Sequence, residues 1–313
     1  MDLGIADILG FEVDSKGDIF VLSTYKGGGD FIFKFDGEGG FIKSFGPQGE
    51  GPGELQNPPH IALDSEDNIL IIDWGRPMLN KYNKTGAFIK GSILTEGEKK
   101  ATPGPGSKML FLVHSTDPET GKRLFSLKLM NSDLEEVRQI DQHGYSLMAV
   151  PGKFRATEPL LCWSASRDHI YVAKEDRGYE IWVYDADGKL IRKIKKEYTP
   201  VPVSESYREK ILEKLPPPAR DRILFPKFHP AFQSITAGDD GKLLVATFEE
   251  GIAPGEFMFD IFNEEGVFTG RKSLRAWIWE CHLWAKMIGD KFYCLEEKES
   301  GYRALIVYDM KWE

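Results

Sequence analysis

The chemistry open to this chain rests on six histidines, forty-nine carboxylates, and scattered arginines and tryptophans in 313 residues. None of them stands in a catalytic signature. There is no Gly-x-Ser-x-Gly and no His-Glu-x-x-His. The run Gly46-Pro-Gln-Gly-Glu-Gly-Pro-Gly53 lacks the Gly-Lys-Ser/Thr of a phosphate loop, and no helical pattern follows it. Cys162, Cys281 and Cys294 have neither zinc-ribbon nor Cys-x-x-Cys spacing, and an odd count indicates no obligatory disulfide framework. What remains is a set of polar and aromatic residues beside apolar segments. His60 precedes one such segment, and Asp73, Trp74 and Arg76 follow the next. His114, Glu158, and Glu175 with Asp176 and Arg177 come after them. His229, Glu249 and Glu250 follow, then Trp279, Glu280, His282, Glu296 and Glu297; Tyr25 and Lys26 lie near the start. Imidazole, carboxylate, guanidinium and indole groups together can line a polar pocket with aromatic walls, suited to a small molecule, glycan or peptide.

Whether they meet depends on the elements that carry them, and those elements repeat. Asp14-Ser-Lys-Gly-Asp-Ile-Phe-Val-Leu22 matches Asp64-Ser-Glu-Asp-Asn-Ile-Leu-Ile-Ile72 fifty positions on. Ala165-Ser-Arg-Asp-His-Ile-Tyr-Val-Ala173 and Gly238-Asp-Asp-Gly-Lys-Leu-Leu-Val-Ala246 fit the same frame. Lys108–Val113 and Gly289–Leu295 are degenerate third and sixth copies. Each unit has a second half of two alternating segments around a turn, as in Phe31-Ile-Phe-Lys-Phe-Asp-Gly-Glu-Gly-Gly-Phe-Ile42. Asp/Asn–Gly turns between alternating runs are hairpin signals. Four short antiparallel strands, repeated six times at about fifty residues, predict an all-β, six-bladed β-propeller forming one domain over 1–313. The loops after the second and fourth strands then share one end, the top, where the residues named above converge.

The second unit carries Gly-x-Gly-x-Gly-Pro-Gly-Glu, then Pro59, then Asp64-x-x-x-Asn-Ile-x-Ile-x-Asp73. This resembles the NHL repeat, and the chain resembles bacterial NHL-like or TolB-like six-bladed propellers over nearly its full length. The resemblance implies an exported or surface-associated protein. It also implies where a metal would sit. Related lactonases hold calcium with Glu, Asp and Asn side chains, for which Glu158 and Glu280 are the counterparts here, while Asn68 and Asn263 fall in turns at the opposite end. Amidating lyases of the NHL type use histidines, to which His60, His114, His229 and His282 can be compared without a diagnostic spacing. No cofactor and no tightly bound transition metal are expected, with calcium as the alternative.

A net charge of −9 argues against nucleic acid and anionic lipid as partners. The basic run Arg192-Lys-Ile-Lys-Lys196 is expected to be a solvated outer strand. No apolar run is long enough to span a membrane. The opening residues Met-Asp-Leu-Gly-Ile-Ala-Asp contain no export signal. The expected location is nevertheless the periplasm or cell surface, with the signal outside this sequence; the cytoplasm is the alternative. The sixth unit runs only to a third strand, so its outer strand is expected either from residues 2–6, beside the C-terminal segment, or from outside this sequence.

Residues 197–230 break the period, because the fourth and fifth registers are 73 apart. Ser204–Leu215 has a Ser N-cap and apolar Tyr207, Ile211 and Leu215 on one face, predicting a helix stopped by Pro216-Pro-Pro218. A further turn is expected from Ala219. This insertion, with the long loop Gln142–Arg155, belongs at the top as either packing or a lid. The sequence favours a non-catalytic ligand- or protein-binding propeller over a metal-assisted hydrolase or lyase on the same end.

Overall fold

The computed structural model describes residues 5, 7–24, 29–94, 97–146, 148–157, 159–275, 278–279, 282–283, 285–298 and 303–311. Two compact units make up the chain: residues 1–115, 126–142 and 297–304, and residues 116–125, 143–296 and 305–313. The sheets are the predicted blades, and the fold is a six-bladed β-propeller of antiparallel sheets. Blade 1 comprises Asp7–Val13, Ile19–Thr24, Asp30–Phe35 and Phe41–Pro47. Blade 2 comprises His60–Leu63, Ile69–Asp73, Met78–Tyr82 and Phe88–Ile93. Blade 3 comprises Glu98–Pro103, Met109–Thr116, Arg123–Met130 and Glu136–Tyr145. Blade 4 comprises Leu161–Ala165, Ile170–Lys174, Glu180–Tyr184 and Leu190–Lys195. Blade 5 comprises Ser234–Ala237, Leu243–Glu250, Glu256–Phe262 and Phe268–Arg275. Blade 6 has three strands among the described residues, Ala285–Ile288, Lys291–Glu297 and Arg303–Asp309. Most of residues 2–6, expected to complete it, lie outside the description. Arg303, opening its last strand, donates to the Asp7 carboxylate at 2.6 Å and the Ile8 carbonyl at 3.0 Å.

Burial falls from the second strand to the fourth. Ile69–Asp73 is buried throughout, whereas Phe88–Ile93 is half-buried or exposed. A strand covered on both faces needs apolar side chains on both, hence its continuous hydrophobic run. In the first unit Phe20, Leu22, Ile32 and Phe45 pack on Leu55, Ile61, Ile69 and Tyr82. In the second, Tyr171, Ile181, Val183 and Ile194 pack on Phe232, Ile235, Val245 and Phe262. Each such side chain stabilises the fold by about 1.5–3 kcal/mol on full burial.

The repeated Asp/Asn explains the turns. Asp14, Asp64, Asn83 and Asp185 each accept, through Oδ1, the backbone N–H groups two and four residues on, at 2.9–3.0 Å. This side-chain cap holds the hairpin closed. The residue three on takes positive φ: Gly17 at 89°, Gly86 at 82°, Gly188 at 74°, but Asp67 at 61°. In blade 3 the same turn, between the third and fourth strands, runs Asn131–Glu135 and places Leu134 at φ 64°, so the second hairpin of that copy lacks its glycine in the sequence.

The insertion forms two helices. α1 spans Glu205–Glu213, with the Ser204 hydroxyl accepting from Tyr207 N at 3.2 Å. It ends two residues before the expected Leu215. α2 spans Pro217–Arg220, starting before the expected Ala219 because Pro217 occupies its first turn, where the missing N–H costs nothing. Neither helix contains a buried residue; Tyr207, Ile211 and Leu215 are half-buried.

Candidate ligand-binding face

In the first unit, several residues singled out by type turn out to hold the glycine-rich linker. Asp73 is fully buried and accepts from Gln56 N at 2.9 Å, Asn57 N at 2.8 Å and Gly75 N at 3.0 Å. Arg76 donates to the carbonyls of Glu50 and Glu54, and Tyr82 Oη to that of Gly53. A guanidinium on two carbonyls satisfies backbone groups of a segment that has no ladder of its own. His60 donates from Nε2 to the Ala101 carbonyl, 2.5 Å away, which fixes its tautomer and ties blade 2 to blade 3. The Trp74 ring, half exposed, carries Lys99 Nζ 4.6 Å from its centroid. His114 donates its backbone N–H to Gly97.

In the second unit the between-blade connections build a structure of their own. Met148–Val150 and Lys153–Arg155, from the linker before blade 4, form a small sheet with Ile223–Leu224 from the insertion after it. The pairing is parallel, Phe154 to Ile223 and Arg155 to Leu224. Arg222 donates to the Gly152 carbonyl at 3.0 Å and lies over the Phe154 ring. Arg155 reaches Glu175 Oε1 at 3.3 Å, while Glu175 Oε2 accepts from Leu160 N. Asp176 sits 3.5 Å from Lys174 Nζ and 3.8 Å from His143 Nδ1. The last separation is too long for a hydrogen bond, so His143 and Asp176 do not form an acid–base dyad. Arg177 stacks on Trp182, 3.6 Å from the ring centroid, along the side of blade 4.

His229 is an aromatic plate. It stacks on Phe248 with centroids 4.2 Å apart and meets Tyr207 of α1 edge-on at 4.7 Å. Burial pushes its pKa down, as it does that of His143, where the Asp176 carboxylate opposes the effect. Both imidazoles are held neutral at pH 7. Below about pH 6.5 the unfolded chain binds protons that the folded chain refuses, so stability falls as pH drops from 6.5 toward the lowered folded values. Urea titrations at pH 7.5 and 5.5 should show this loss, and His229→Phe, which keeps the stacking, should reduce it.

Next to Phe248, Glu249 accepts a bidentate pair from Arg271 at 2.8 and 2.9 Å. Arg271 Nε contacts Asp260 Oδ1 at 2.8 Å, and Asp260 Oδ2 accepts from Tyr179 Oη at 2.6 Å and Lys196 Nζ at 3.0 Å. Lys196, just past the outer strand Leu190–Lys195, is therefore an internal partner, while Lys193 and Lys195 are exposed on that strand as expected of the basic run. Burial, then the charge of Asp260 and the hydrogen bond to it, raises the Tyr179 pKa far above its ordinary value.

The structure thus brings His229 against Tyr207 of α1 and Glu175 against Arg155 of the small sheet, at the end of the second unit carrying its between-blade connections. His143, Arg155, Lys174 and Arg271 were not singled out by sequence, and neither was Asp260, which is fully buried and anchors Arg271 from within blade 5. Asp260 left one trace there, an acid inside the apolar strand Glu256-Phe-Met-Phe-Asp-Ile-Phe262. Glu296 is buried and accepts from Tyr308. Tyr25, Lys26, Glu158, Glu280 and Cys281 lie outside the described residues, and His282 is placed only in a short strand, His282–Leu283, paired with Ile278–Trp279. Among the described residues no three His, Cys, Asp or Glu side chains are arranged to hold a metal ion, and no helix is long and apolar enough to cross a membrane.

Comparison with known proteins places this geometry among propellers. Residues 10–141 match the model of the DUF5128 family, described as a 6-bladed beta-propeller. No curated protein matches the sequence. A candidate exported protein of Bacteroides fragilis NCTC 9343 superposes with a TM-score of 0.59 at 9% identity, over 98% of this chain and 91% of that one. A DUF4221 family member from Bacteroides vulgatus ATCC 8482 gives 0.53 at 12% identity, over 97% and 92%. Identities this low speak for the fold alone, and the family model describes that fold as a six-bladed propeller.

Proposed function

We propose that this chain is a non-catalytic binding propeller that works outside the cytoplasm and receives a small molecule, glycan or peptide at the insertion-bearing end of its second unit. The observation that carries this reading is the sheet joining Lys153–Arg155 to Ile223–Leu224. Two linkers that no blade requires are extended and fastened together, and they carry Phe154, Arg155 and Arg222. Ordinary blade connections need neither the length nor the pairing. The acid–base candidates nearby support binding over catalysis, since Glu175 and Glu249 are engaged by arginines and His229 is sandwiched between rings. Location outside the cytoplasm is supported by the likeness to the candidate exported Bacteroides protein.

The test replaces Glu205–Arg220 with a short Gly/Ser linker, leaving Val203 and Ile223–Leu224 in place. Because neither helix buries a residue, the melting temperature should shift by only a few degrees. Wild-type protein should retain members of an oligosaccharide and peptide array, and the variant should lose at least tenfold in affinity for them. Equal binding by both forms would remove the insertion from the site, and turnover of a captured compound would favour a hydrolase or lyase.

A further inference from the structure

We propose that the insertion-bearing end selects its ligand by negative charge, and that the ligand is an oligosaccharide carrying carboxylate groups. This rests on the reading that this end of the second unit is a binding face. Two arginines carry the inference. Arg222 donates through Nε to the Gly152 carbonyl at 3.0 Å, and its guanidinium carbon lies 4.8 Å from the Phe154 ring centroid. Arg208, half-buried on α1, lies 5.7 Å from the Phe225 centroid, with Nε enclosed and without an acceptor. Phe154 is paired with Ile223, and Phe225 follows Ile223 by two residues. Side chains two apart in an extended segment share a side. Both rings, each under its arginine, therefore fall on one side of the small sheet.

Neither guanidinium is neutralised by the protein. The chain has a net charge of −9, and Arg155, Arg271 and Arg303 each have a carboxylate partner. Arg208 and Arg222 have none among the described residues, although Glu205 and Glu209 share α1 with Arg208 and Asp221 precedes Arg222. Each guanidinium is thus oriented by a ring, and its terminal nitrogens remain available as the planar fork that binds a carboxylate through two parallel hydrogen bonds.

The groups next to Arg208 point to a sugar. Tyr207 and His229 meet edge-on at 4.7 Å, and neither the hydroxyl nor the imidazole makes a hydrogen bond within the described protein. A phenol and a neutral imidazole can each donate and accept, which is the exchange a sugar hydroxyl offers in return. Guanidinium forks beside such groups match a uronic acid residue, with a carboxylate and several hydroxyls on one ring. Two arginines on one side of the sheet favour a ligand with more than one carboxylate.

Isothermal titration of the full chain with trimers of galacturonate, glucuronate and mannuronate tests this, with their methyl esters as uncharged controls. At least one trimer should bind, and its ester at least tenfold more weakly. Arg208→Gln combined with Arg222→Gln should lower affinity at least tenfold while the melting temperature moves by only a few degrees, because neither side chain makes an ion pair. Lys84→Gln with Lys90→Gln removes the same charge from exposed positions in blade 2, and it should leave affinity unchanged. An equal loss there would reduce the effect to total charge and overturn the proposal. Absence of binding by every trimer, equal binding of the esters, or full affinity in the arginine variant overturns it as well. If a neutral oligosaccharide binds instead and is lost when Glu205–Arg220 is replaced, the binding face stands and only the charge selection fails. If a trimer binds equally to wild type, to the arginine variant and to that replacement, the face itself is removed. An acidic peptide held more tightly than any trimer through the same arginines overturns the glycan class.

Discussion

Asp260→Ala should lower the unfolding free energy by about 3–5 kcal/mol, the cost expected when one partner is removed from a buried charge cluster. Asp260 is fully buried in the third strand of blade 5 and is approached by Tyr179, Lys196 and Arg271. Alanine would leave the Tyr179 hydroxyl without its acceptor and two cations facing a space that water cannot easily fill. Arg271 keeps Glu249, and Lys196 is about one-fifth exposed, so part of the charge can relax outward. Asp260→Asn, which retains an acceptor for Tyr179, should cost distinctly less than alanine. Equilibrium unfolding in urea, followed by far-UV circular dichroism and by tryptophan fluorescence, measures the difference. A loss below 1 kcal/mol for alanine would mean that the cluster is dispensable.

Gly266→Ala should cost about 3 kcal/mol, from two separate sources. Gly266 has φ 78°, where an L-residue is disfavoured by roughly 1–2 kcal/mol. Its added Cβ would also lie 2.6 Å from Cγ1 of Ile194, a buried side chain of the outer strand of blade 4. Overpacking of this kind typically costs about 1–3 kcal/mol. Gly17 supplies the control, because it has φ 89° but nothing within 4 Å of the added atom. Gly17→Ala should therefore show only the conformational part, and Ile194→Val should recover some of the loss in the Gly266→Ala background. Equal losses at the two glycines would show that blade-to-blade contact contributes nothing. Gly86 repeats the arrangement against Phe45, with a Cβ distance of 2.6 Å to the ring.

The parts of this architecture that depend on short-range chemistry were legible in the sequence. Asp14-Ser-Lys-Gly17 announces its own turn because side chain and glycine act within four residues. Ser204 announces α1 in the same way. Blade 3 was faint because its first turn, Gly104–Lys108, has no Asp or Asn cap and because Leu134 in its second hairpin adopts the glycine conformation without being glycine. The candidate face was legible only as residue types. Arg76 and Asp73 look like binding groups until the linker they hold is seen, and Asp260 finds Tyr179 and Lys196 at separations of 81 and 64 residues. No local pattern encodes such pairings.

The parallel pairing of Phe154 with Ile223 joins the segment that enters blade 4 to the one that leaves blade 5's approach. Phe154 N donates to Arg222 O at 2.8 Å and Ala156 N to Leu224 O at 3.0 Å, so neither segment can detach without breaking the other's bonds. The two linkers consequently constitute one cooperative opening unit, a latch whose halves are some seventy residues apart in the chain. A ligand that ordered either half would stabilise both, transmitting its effect from one side of blade 4 to the other without any change in the blade itself.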